Sequence, residues 1–131
     1  MSRILVVDDN PALCKAIARK LQSVGHEVLT AHDGEEGLEA ARREHPDLVV
    51  LDWMMPRKAG VQVCAELRAD ERLSNVPVMM VTARCSETDT TTGICSGADD
   101  YIVKPFNPSE LARRIESLLA IGRLERLFGI A

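Results

Sequence analysis

Four separated stretches of the chain place chemically capable side chains directly after a run of apolar residues. Asp8 and Asp9 follow ILVV, Asp52 follows LVVL, Thr82 follows VMMV, and Lys104 follows YIV. A carboxylate at the end of a hydrophobic run needs a cationic partner or a proton, because an unpaired buried charge is costly. These residues are therefore the first candidates for chemistry.

The residue types in this set suit a particular kind of chemistry. Three carboxylates at one place would repel one another and raise at least one pKa unless a cation compensated them. Oxygen ligands without His or Cys favour a hard ion such as Mg²⁺, which keeps several waters and takes one or two carboxylates with phosphate oxygens. The ammonium of Lys104 and the hydroxyl of Thr82 would complete a site that stabilises a phosphoryl group in transfer.

The apolar runs read as short strands, and amphipathic segments with helix start signals lie between them. Asn10 and Asp33 are predicted N-caps, and Pro11 and Pro108 suit the first turn of a helix. The pattern predicts strands over residues 4–7, 27–31, 48–51, 76–81 and 101–103. It predicts helices over residues 11–24, 33–43, after Gly60, over 86–96 and after Asn107, the fourth of them weak because it is rich in threonine.

Five buried strands that alternate with five helices predict an α/β fold with an open, doubly wound parallel sheet. Ligands of such sheets bind at the carboxyl ends of the strands, near the point where strand order reverses. Every candidate residue follows a strand, so all of them are expected at one edge of the sheet.

Length and composition indicate one domain that needs no metal or disulfide for stability. The chain has 131 residues, of which 46% are hydrophobic, and a formal net charge of -4. This charge argues against nucleic acid or an anionic membrane as the main partner. The sequence shows no signal-like segment and no apolar run of membrane-spanning length, and its four cysteines are interpreted as reduced thiols. The expected location is therefore the cytoplasm.

From Ile4 to about Leu119 the chain resembles the receiver domain of two-component response regulators. The resemblance is carried by VVDD, LDWMMP around Asp52, VTA at Thr82 and GADDYIVKPF around Lys104, in that order and spacing. It implies a flavodoxin-like fold with strand order 2-1-3-4-5 and five helices. It also implies a phosphoacceptor in a signalling pathway, which is not an enzyme although it takes part in its own phosphotransfer and dephosphorylation.

The resemblance assigns roles to the acidic residues. Asp52 would accept the phosphoryl group from a sensor histidine kinase or a histidine phosphotransfer protein. Asp9 and Asp52 would bind Mg²⁺ directly, Asp8 would bind it directly or through water, and the backbone carbonyl of Met54 would be a further ligand.

The same resemblance assigns the switch and the partners. Lys104 would pair with Asp52 and later with the phosphoryl oxygens, Thr82 would move toward the phosphoryl group, and Tyr101 would rotate inward behind it. The affected face, formed by the fourth helix, fifth strand and fifth helix, would contact a downstream effector protein or domain, or a second copy in a homodimer. Direct contacts with nucleic acid or membrane are not expected.

Two other functions would use part of the same set of residues. A magnesium-dependent phosphatase of the haloacid-dehalogenase type also combines an aspartate nucleophile, Thr or Ser, Lys and magnesium, but its nucleophile would be Asp8 in an Asp-x-Asp pair, and a cap domain is missing. A flavodoxin-like binding module would need a phosphate-cradling loop after the first strand, where this chain has acidic residues.

Three features depart from the expected pattern or stay open. Arg57, Lys58 and Ala59 stand where the family often has an apolar residue followed by Asp, and a solvated loop or contact with an anionic partner would explain the two basic residues. Residues 1–122 are predicted to form the receiver domain, and residues 123–131 a C-terminal helical extension or truncated linker. The three histidines, at positions 26, 32 and 45, are predicted to be solvated.

Overall fold

The sheet of the computed structural model, which describes residues 2–55, 57–82 and 97–128, has five parallel strands. Their order is β2-β1-β3-β4-β5, as the flavodoxin-like prediction requires. The strands are β1 (Arg3–Val7), β2 (Glu27–Ala31), β3 (Leu48–Asp52), β4 (Val78–Thr82) and β5 (Asp100–Val103).

Helices connect the strands and cover the sheet. They are α1 (Pro11–Ser23), α2 (Gly34–Glu44), α3 (Gly60–Ala69) and the C-terminal helix (Pro108–Phe128). The predicted fourth helix, residues 86–96, lies outside the described residues. Among the helices of the described ranges, none has the length and apolar character needed to cross a membrane.

Two of the helix starts show the predicted caps. The Asn10 side chain accepts hydrogen bonds from the N–H groups of Ala12 and Leu13, at 3.0 and 3.3 Å, with Pro11 at the first helical position. The Asp33 side chain accepts from Glu36 N–H at 2.8 Å. Each cap satisfies amide groups that lack a partner inside the helix, so these starts are fixed locally.

The sheet separates two apolar clusters because successive strand residues point to opposite faces. Leu5, Val7 and Leu51 face the cluster that contains Leu38 of α2 and Leu67 of α3. The opposite cluster joins the sheet to α1 and the C-terminal helix through Ile4, Val6, Ile17, Leu111 and Ile115. The three central strands, β1, β3 and β4, are therefore almost fully buried between helical layers, whereas β2 and β5 at the edges of the sheet are partly exposed.

The start of β4 differs from its prediction. The strand begins at Val78 rather than Val76, since Pro77 has no N–H to donate to a neighbouring strand. The Pro77 carbonyl still accepts a hydrogen bond from Val49 N–H at 2.9 Å. The strand also runs one residue further than predicted and includes Thr82.

His26 was predicted to be solvated, and that prediction is wrong. The residue is only 9% exposed, and its Nδ1 accepts a hydrogen bond from Ser2 N–H at 3.2 Å. Its Nε2 contacts the Glu116 carboxylate on the C-terminal helix. A polar side chain can be buried when neighbours satisfy both ring nitrogens, and those neighbours are 24 and 90 residues away in sequence.

Arg68, near the end of α3, binds the segments that lead into β4 and β5. Its guanidinium donates to the carbonyls of Ser74 at 3.0 Å and Gly97 at 2.6 Å, and to the Asp99 carboxylate at 2.8 Å. A lysine has one point of attachment instead of a planar fork with five donors. The arginine is therefore the residue that fits this set of acceptors.

Arg68→Lys should lower the free energy of unfolding by about 2 kcal/mol, because several of these hydrogen bonds cannot be remade by an ammonium. Urea denaturation followed by circular dichroism measures the change. Arg72→Lys is the matched control, since the Arg72 side chain is 65% exposed. Equal stabilities of the two variants would contradict the importance of the Arg68 contacts.

Ala59 is the N-cap residue of α3, and its side chain makes no capping hydrogen bond. The Ala59 N–H donates to Gln62 Oε1 at 3.3 Å, which is half of a capping box. Ala59→Thr should therefore be about 1 kcal/mol more stable than the isosteric Ala59→Val, because only threonine supplies the missing acceptor. Thermal unfolding of the pair measures this difference, and equal melting temperatures would count against it.

Candidate functional site

The register of the sheet brings the candidate residues to one edge. Val7 of β1 lies opposite Leu51 of β3, so the next residues, Asp8 and Asp52, are neighbours across the two strands. On the other side of β3, Asp52 itself pairs with Val81, the residue before Thr82. Thr82 pairs with Val103, and Lys104 follows directly. These residues therefore lie at one edge of the sheet, as expected from strand order.

Asp52 is fixed at the end of β3 with its carboxylate in contact with Lys104. The residue is 6% exposed, and Lys104 Nζ lies 3.5 Å from Oδ2. The N–H of Met54 donates to Oδ1 at 3.4 Å. The next residue, Trp53, donates its N–H to the Val81 carbonyl at 2.8 Å, which holds the backbone on β4.

Asp8 is held through its backbone and its side chain. Its N–H donates to the Ala31 carbonyl at 3.1 Å, and its Oδ1 accepts from Asn10 N–H at 2.9 Å. Oδ2 lies 3.2 Å from Lys104 Nζ. With 2% of its surface exposed, Asp8 is as buried as core residues around it.

Cys14 and His32 also contact Asp8, and neither was predicted to lie at the site. The Cys14 thiol donates to the Asp8 carbonyl at 3.3 Å, and His32 Nδ1 lies 3.4 Å from the same oxygen. Burial and the nearby Asp8 carboxylate raise the pKa of the Cys14 thiol to about 11, so it is protonated and able to donate. Its sequence position carried no specific signal for this contact, which depends on how α1 packs beside the end of β1.

The electrostatics of the site follow from crowding of like charges. Burial, then the Asp8 carboxylate, raise the pKa of Asp52 to about 6, although Lys104 and the Met54 N–H act in the opposite direction. Burial alone would lower the pKa of Lys104, but the carboxylates of Asp52 and Asp8 raise it above its usual value. The site therefore holds a charged lysine, and a further positive charge would be stabilised by the carboxylates.

The donor set fits a hard divalent cation. One oxygen from each carboxylate of Asp8, Asp9 and Asp52 lies within 4.8 Å of the other two. Asp8 and Asp52 are buried while Asp9 is exposed, which leaves one side of the cluster open to water and to an incoming ligand. Carboxylate oxygens with open positions suit Mg²⁺, and a cation would relieve the repulsion that raises the pKa of Asp52.

Thr82 lies on β4 and Tyr101 on β5, on the side of β3 away from β1 and Asp8. Thr82 is 1% exposed, and its carbonyl accepts the Lys104 N–H at 2.7 Å, so the two residues are linked through the backbone. Tyr101 is half-buried on β5, opposite Met80, and packs against the apolar cluster on the α2 and α3 side of the sheet. The Lys104–Pro105 peptide bond at the end of β5 is cis.

Gly60 contacts the site, although the sequence pattern indicated only that a helix follows it. Its N–H donates to the Trp53 carbonyl at 2.9 Å. A Cβ at this position would lie 2.3 Å from the carbonyl oxygen of Asp52. Only glycine allows this approach, and the loop of residues 53–60 therefore begins and ends beside Asp52.

Comparison with known proteins gives one consistent result. The family model of the response regulator receiver domain matches residues 4–116. The chain is 50% identical over 117 residues to a probable transcriptional regulator, ycf27, of Porphyridium aerugineum, which covers 89% of this chain and 48% of that protein. It is 45% identical to the DNA-binding response regulator MtrA of Mycolicibacterium smegmatis, with 89% and 50% covered.

Solved structures agree with these relatives. A CheY-like response regulator receiver domain protein from Methanospirillum hungatei superposes with a TM-score of 0.89 at 30% identity, covering 95% of this chain and 98% of that one. By contrast, the chain spans about half the length of the curated relatives it matches.

The fold and the site define a doubly wound α/β domain with a lysine and three aspartates at the carboxyl edge of its sheet. This chain belongs to the response regulator receiver domain family. The predicted family is confirmed, and the phosphatase and the flavodoxin-like binding module are not favoured.

Proposed function

We propose that Asp52 accepts a phosphoryl group from a phosphohistidine on a sensor histidine kinase or a histidine phosphotransfer protein. The observation that carries this proposal is the buried Asp52 carboxylate, which contacts Lys104 and stands beside two further aspartates. The edge of the site at Asp9 is exposed, so a donor can approach from solvent. The pathway is that of a two-component system, and the proposed location is the cytoplasm.

The residues present can carry out the transfer. A bond forms between an Asp52 carboxylate oxygen and phosphorus while the phosphorus–nitrogen bond to the donor histidine breaks, and the nitrogen keeps that electron pair. Lys104 stabilises the ionised nucleophile before the transfer, and it can pair with the phosphoryl oxygens afterwards. The Thr82 hydroxyl is proposed as a further hydrogen-bond donor to those oxygens.

Mg²⁺ is proposed as the cofactor of this site. Asp8, Asp9 and Asp52 would hold it, together with the backbone carbonyl of Met54. When bound, the ion offsets the negative charge of the carboxylates and of the phosphoryl oxygens. The three aspartates orient their oxygens for it, and Asp8 is fixed most firmly because backbone and side chain are both hydrogen bonded.

Phosphorylation is proposed to shift the population between two packings of the surface that includes β5 and the C-terminal helix. Thr82 would move toward the phosphoryl group and Tyr101 would rotate inward behind it. Arg114 already links these elements, since it donates to the Tyr101 carbonyl at 2.9 Å. The proposed partners are an effector protein or domain and, through this face and the predicted fourth helix, a second copy of the chain.

The proposed limit of the receiver domain at residue 122 falls within a continuous helix. The C-terminal helix runs to Phe128, and its last turns carry exposed apolar side chains, with Leu127 at 76% and Phe128 at 70%. We propose residues 123–131 as a helical extension or linker. Light scattering on the whole chain and on a chain ending at Gly122 tests a role in dimerisation, and identical monomer masses would contradict that role.

Incubation with Mg²⁺ and acetyl phosphate, followed by mass spectrometry, tests the proposed function. The expected result is a base-labile acyl phosphate on Asp52 that is absent from Asp52→Asn. Slow loss of this group in wild type, dependent on Mg²⁺, would support the proposed self-dephosphorylation. A phosphoryl group on Asp8, or turnover of donor without a trapped group, would contradict the proposal and favour a phosphatase.

A further inference from the structure

The loop between β3 and α3 keeps Arg57 close in the chain to the strand end that carries Asp52. Gly60 closes this loop onto Trp53 and lies against Asp52, and Arg57 is three residues before Gly60. Three residues span at most about 10 Å, so the Arg57 backbone lies within that distance of Gly60. The loop is packed against α2 as well, since the Lys58 carbonyl would lie only 2.1 Å from a Cβ at Gly34.

Arg57 occupies a backbone conformation that disfavours its own side chain. Its φ is +70°, in the left-handed region where glycine is the residue without a steric penalty. The side chain is 67% exposed, so apolar burial does not compensate for this conformation. Residues with a strained backbone conformation that is not offset by packing are found preferentially at functional sites.

The neighbouring lysine does not offer the same free charge. Lys58 Nζ lies 2.5 Å from the Glu66 carboxylate of α3, and its side chain is 22% exposed. Arg57 Nε lies 3.9 Å from Asp33, at the outer limit of an ion pair, on a side chain that is mostly in water. A long and exposed pair of this kind contributes little, so the guanidinium can leave it for a stronger anion.

The charge of the site opposes the approach of its own substrate. Three carboxylates stand against one ammonium, and a phosphodonor adds one or two more negative charges. A bound divalent cation brings the cluster close to neutrality but provides no attraction at a distance. A positive charge at the rim would supply that attraction, because charges near a site steer ionic ligands during diffusion.

We propose that Arg57 is a specificity-determining residue, whose guanidinium draws strongly anionic phosphodonors to Asp52. This inference rests on the proposed function of Asp52 as phosphoacceptor. With acetyl phosphate as donor, the Asp52 oxygen bonds to phosphorus, the bond from phosphorus to the acetyl oxygen breaks, and acetate leaves with the electron pair. Arg57 acts on the encounter before this step, so it favours dianionic donors over donors with a single net charge.

The test compares two small donors at saturating Mg²⁺. Acetyl phosphate is a dianion at neutral pH, whereas the ammonium group of phosphoramidate leaves a net single charge. In Arg57→Gln the second-order rate constant should fall about two- to threefold for acetyl phosphate at low salt. For phosphoramidate it should fall by the square root of that factor, about 1.4- to 1.7-fold, because the interaction energy with one charge roughly 10 Å away is halved. Fluorescence of Trp53, the single tryptophan and the neighbour of Asp52, follows the reaction.

Variants at the same position separate charge from backbone strain. Arg57→Gly removes the charge and relieves the left-handed strain, and it should lose as much rate as Arg57→Gln. Arg57→Lys keeps the charge and should retain the wild-type rate. Arg72→Gln is the matched control, an equally exposed arginine in the segment after α3, and it should leave both rates unchanged. The differences should vanish at about 0.5 M salt, where screening is nearly complete.

Asp33→Asn decides between steering and a purely structural role. Asparagine can still cap α2, but it cannot pair with Arg57 as an anion. If Arg57 only fastened the loop to Asp33, Asp33→Asn would reproduce the loss seen in Arg57→Gln, and this would overturn the inference. Steering predicts a rate equal to or above that of wild type, because a competing negative charge has gone.

Two further results would overturn the inference. One is an unchanged rate in Arg57→Gln at low salt, and the other is an equal loss for both donors at every salt concentration. If wild type is phosphorylated on Asp52, either result overturns the role of Arg57 and leaves the proposed function of Asp52 intact. A wild type that gains no phosphoryl group on Asp52 from either donor would instead overturn the proposed function itself.

Discussion

Replacing Asp52 with asparagine should make the protein about 2 to 3 kcal/mol more stable near pH 7.5 when divalent cations are absent. Asp52 is buried beside Asp8, and these two effects raise its pKa from 3.8 to about 6. A raised carboxylate pKa means that folding favours the protonated form, so the ionised form lowers the stability of the folded state. Asparagine removes that negative charge at nearly the same side-chain volume.

The pH dependence of this effect follows from the two pKa values. Below 3.8 Asp52 is protonated in both folded and unfolded chains, and it contributes no penalty. As pH rises toward about 6, the unfolded chain ionises first, and wild type loses stability until the folded state ionises too. The difference between Asp52→Asn and wild type should therefore be small near pH 4 and constant above about pH 7.

Urea denaturation in EDTA across this pH range measures the effect. Adding Mg²⁺ should stabilise wild type more than the variant, because a ligand that binds the folded state stabilises it by RT ln(1 + [L]/Kd), which is larger for the tighter site. Asp33→Asn, at the N-cap of α2 where asparagine can also cap, serves as a control for the loss of one carboxylate elsewhere. A variant less stable than wild type at pH above about 7 would show that the contact with Lys104 outweighs the repulsion.

Gly60→Ala should lower the free energy of unfolding by about 3 kcal/mol, since overpacking against backbone cannot be relieved by a rotamer change. A Cβ at this position would lie 2.3 Å from the Asp52 carbonyl oxygen and 3.1 Å from the Trp53 Cα. Both atoms belong to the backbone that β4 holds through the Trp53 N–H. The loop must therefore move, and Asp52 must move with it.

Denaturation gives the stability of Gly60→Ala, and Trp53 fluorescence with acetyl phosphate gives its phosphorylation rate. Both should fall together, because the same shift weakens packing and displaces the nucleophile. Gly25→Ala is the control for backbone strain alone, with a φ of +98° and no atom within 4 Å of the added Cβ. It should cost about 1 kcal/mol and leave phosphorylation unchanged. Similar values for the two variants would contradict the close approach at Gly60.

The fold was predictable because local and global signals agreed. Asn10 and Asp33 cap their helices as predicted, and the apolar runs before Asp8 and Asp52 are buried strands. A continuous apolar run admits few structures other than a strand buried on both faces. The meeting of Asp8, Asp52 and Lys104 then follows from parallel strands, whose carboxyl ends share one edge.

Other parts of the site were beyond local reasoning. The contacts of Cys14 and His32 with the Asp8 carbonyl depend on how α1 and the end of β2 pack beside β1. The burial of His26 depends on Glu116, which is distant in the chain. A single residue type carries no information about such partners, so thiol and imidazole groups looked like ordinary core or surface residues.

The sequence by itself determined the fold class, the family and the identity of the residues at the carboxyl edge, because strand patterns and four motifs are local properties. The tertiary structure decided the burial of those residues, their contacts and the charges around them. The burial of Asp52 next to Asp8, the double contact of Lys104 and the return of the loop at Gly60 arise only when distant segments pack. The physical reason is that burial and charge interactions depend on distances through space, and those are set by the register of the sheet and the packing of its helices.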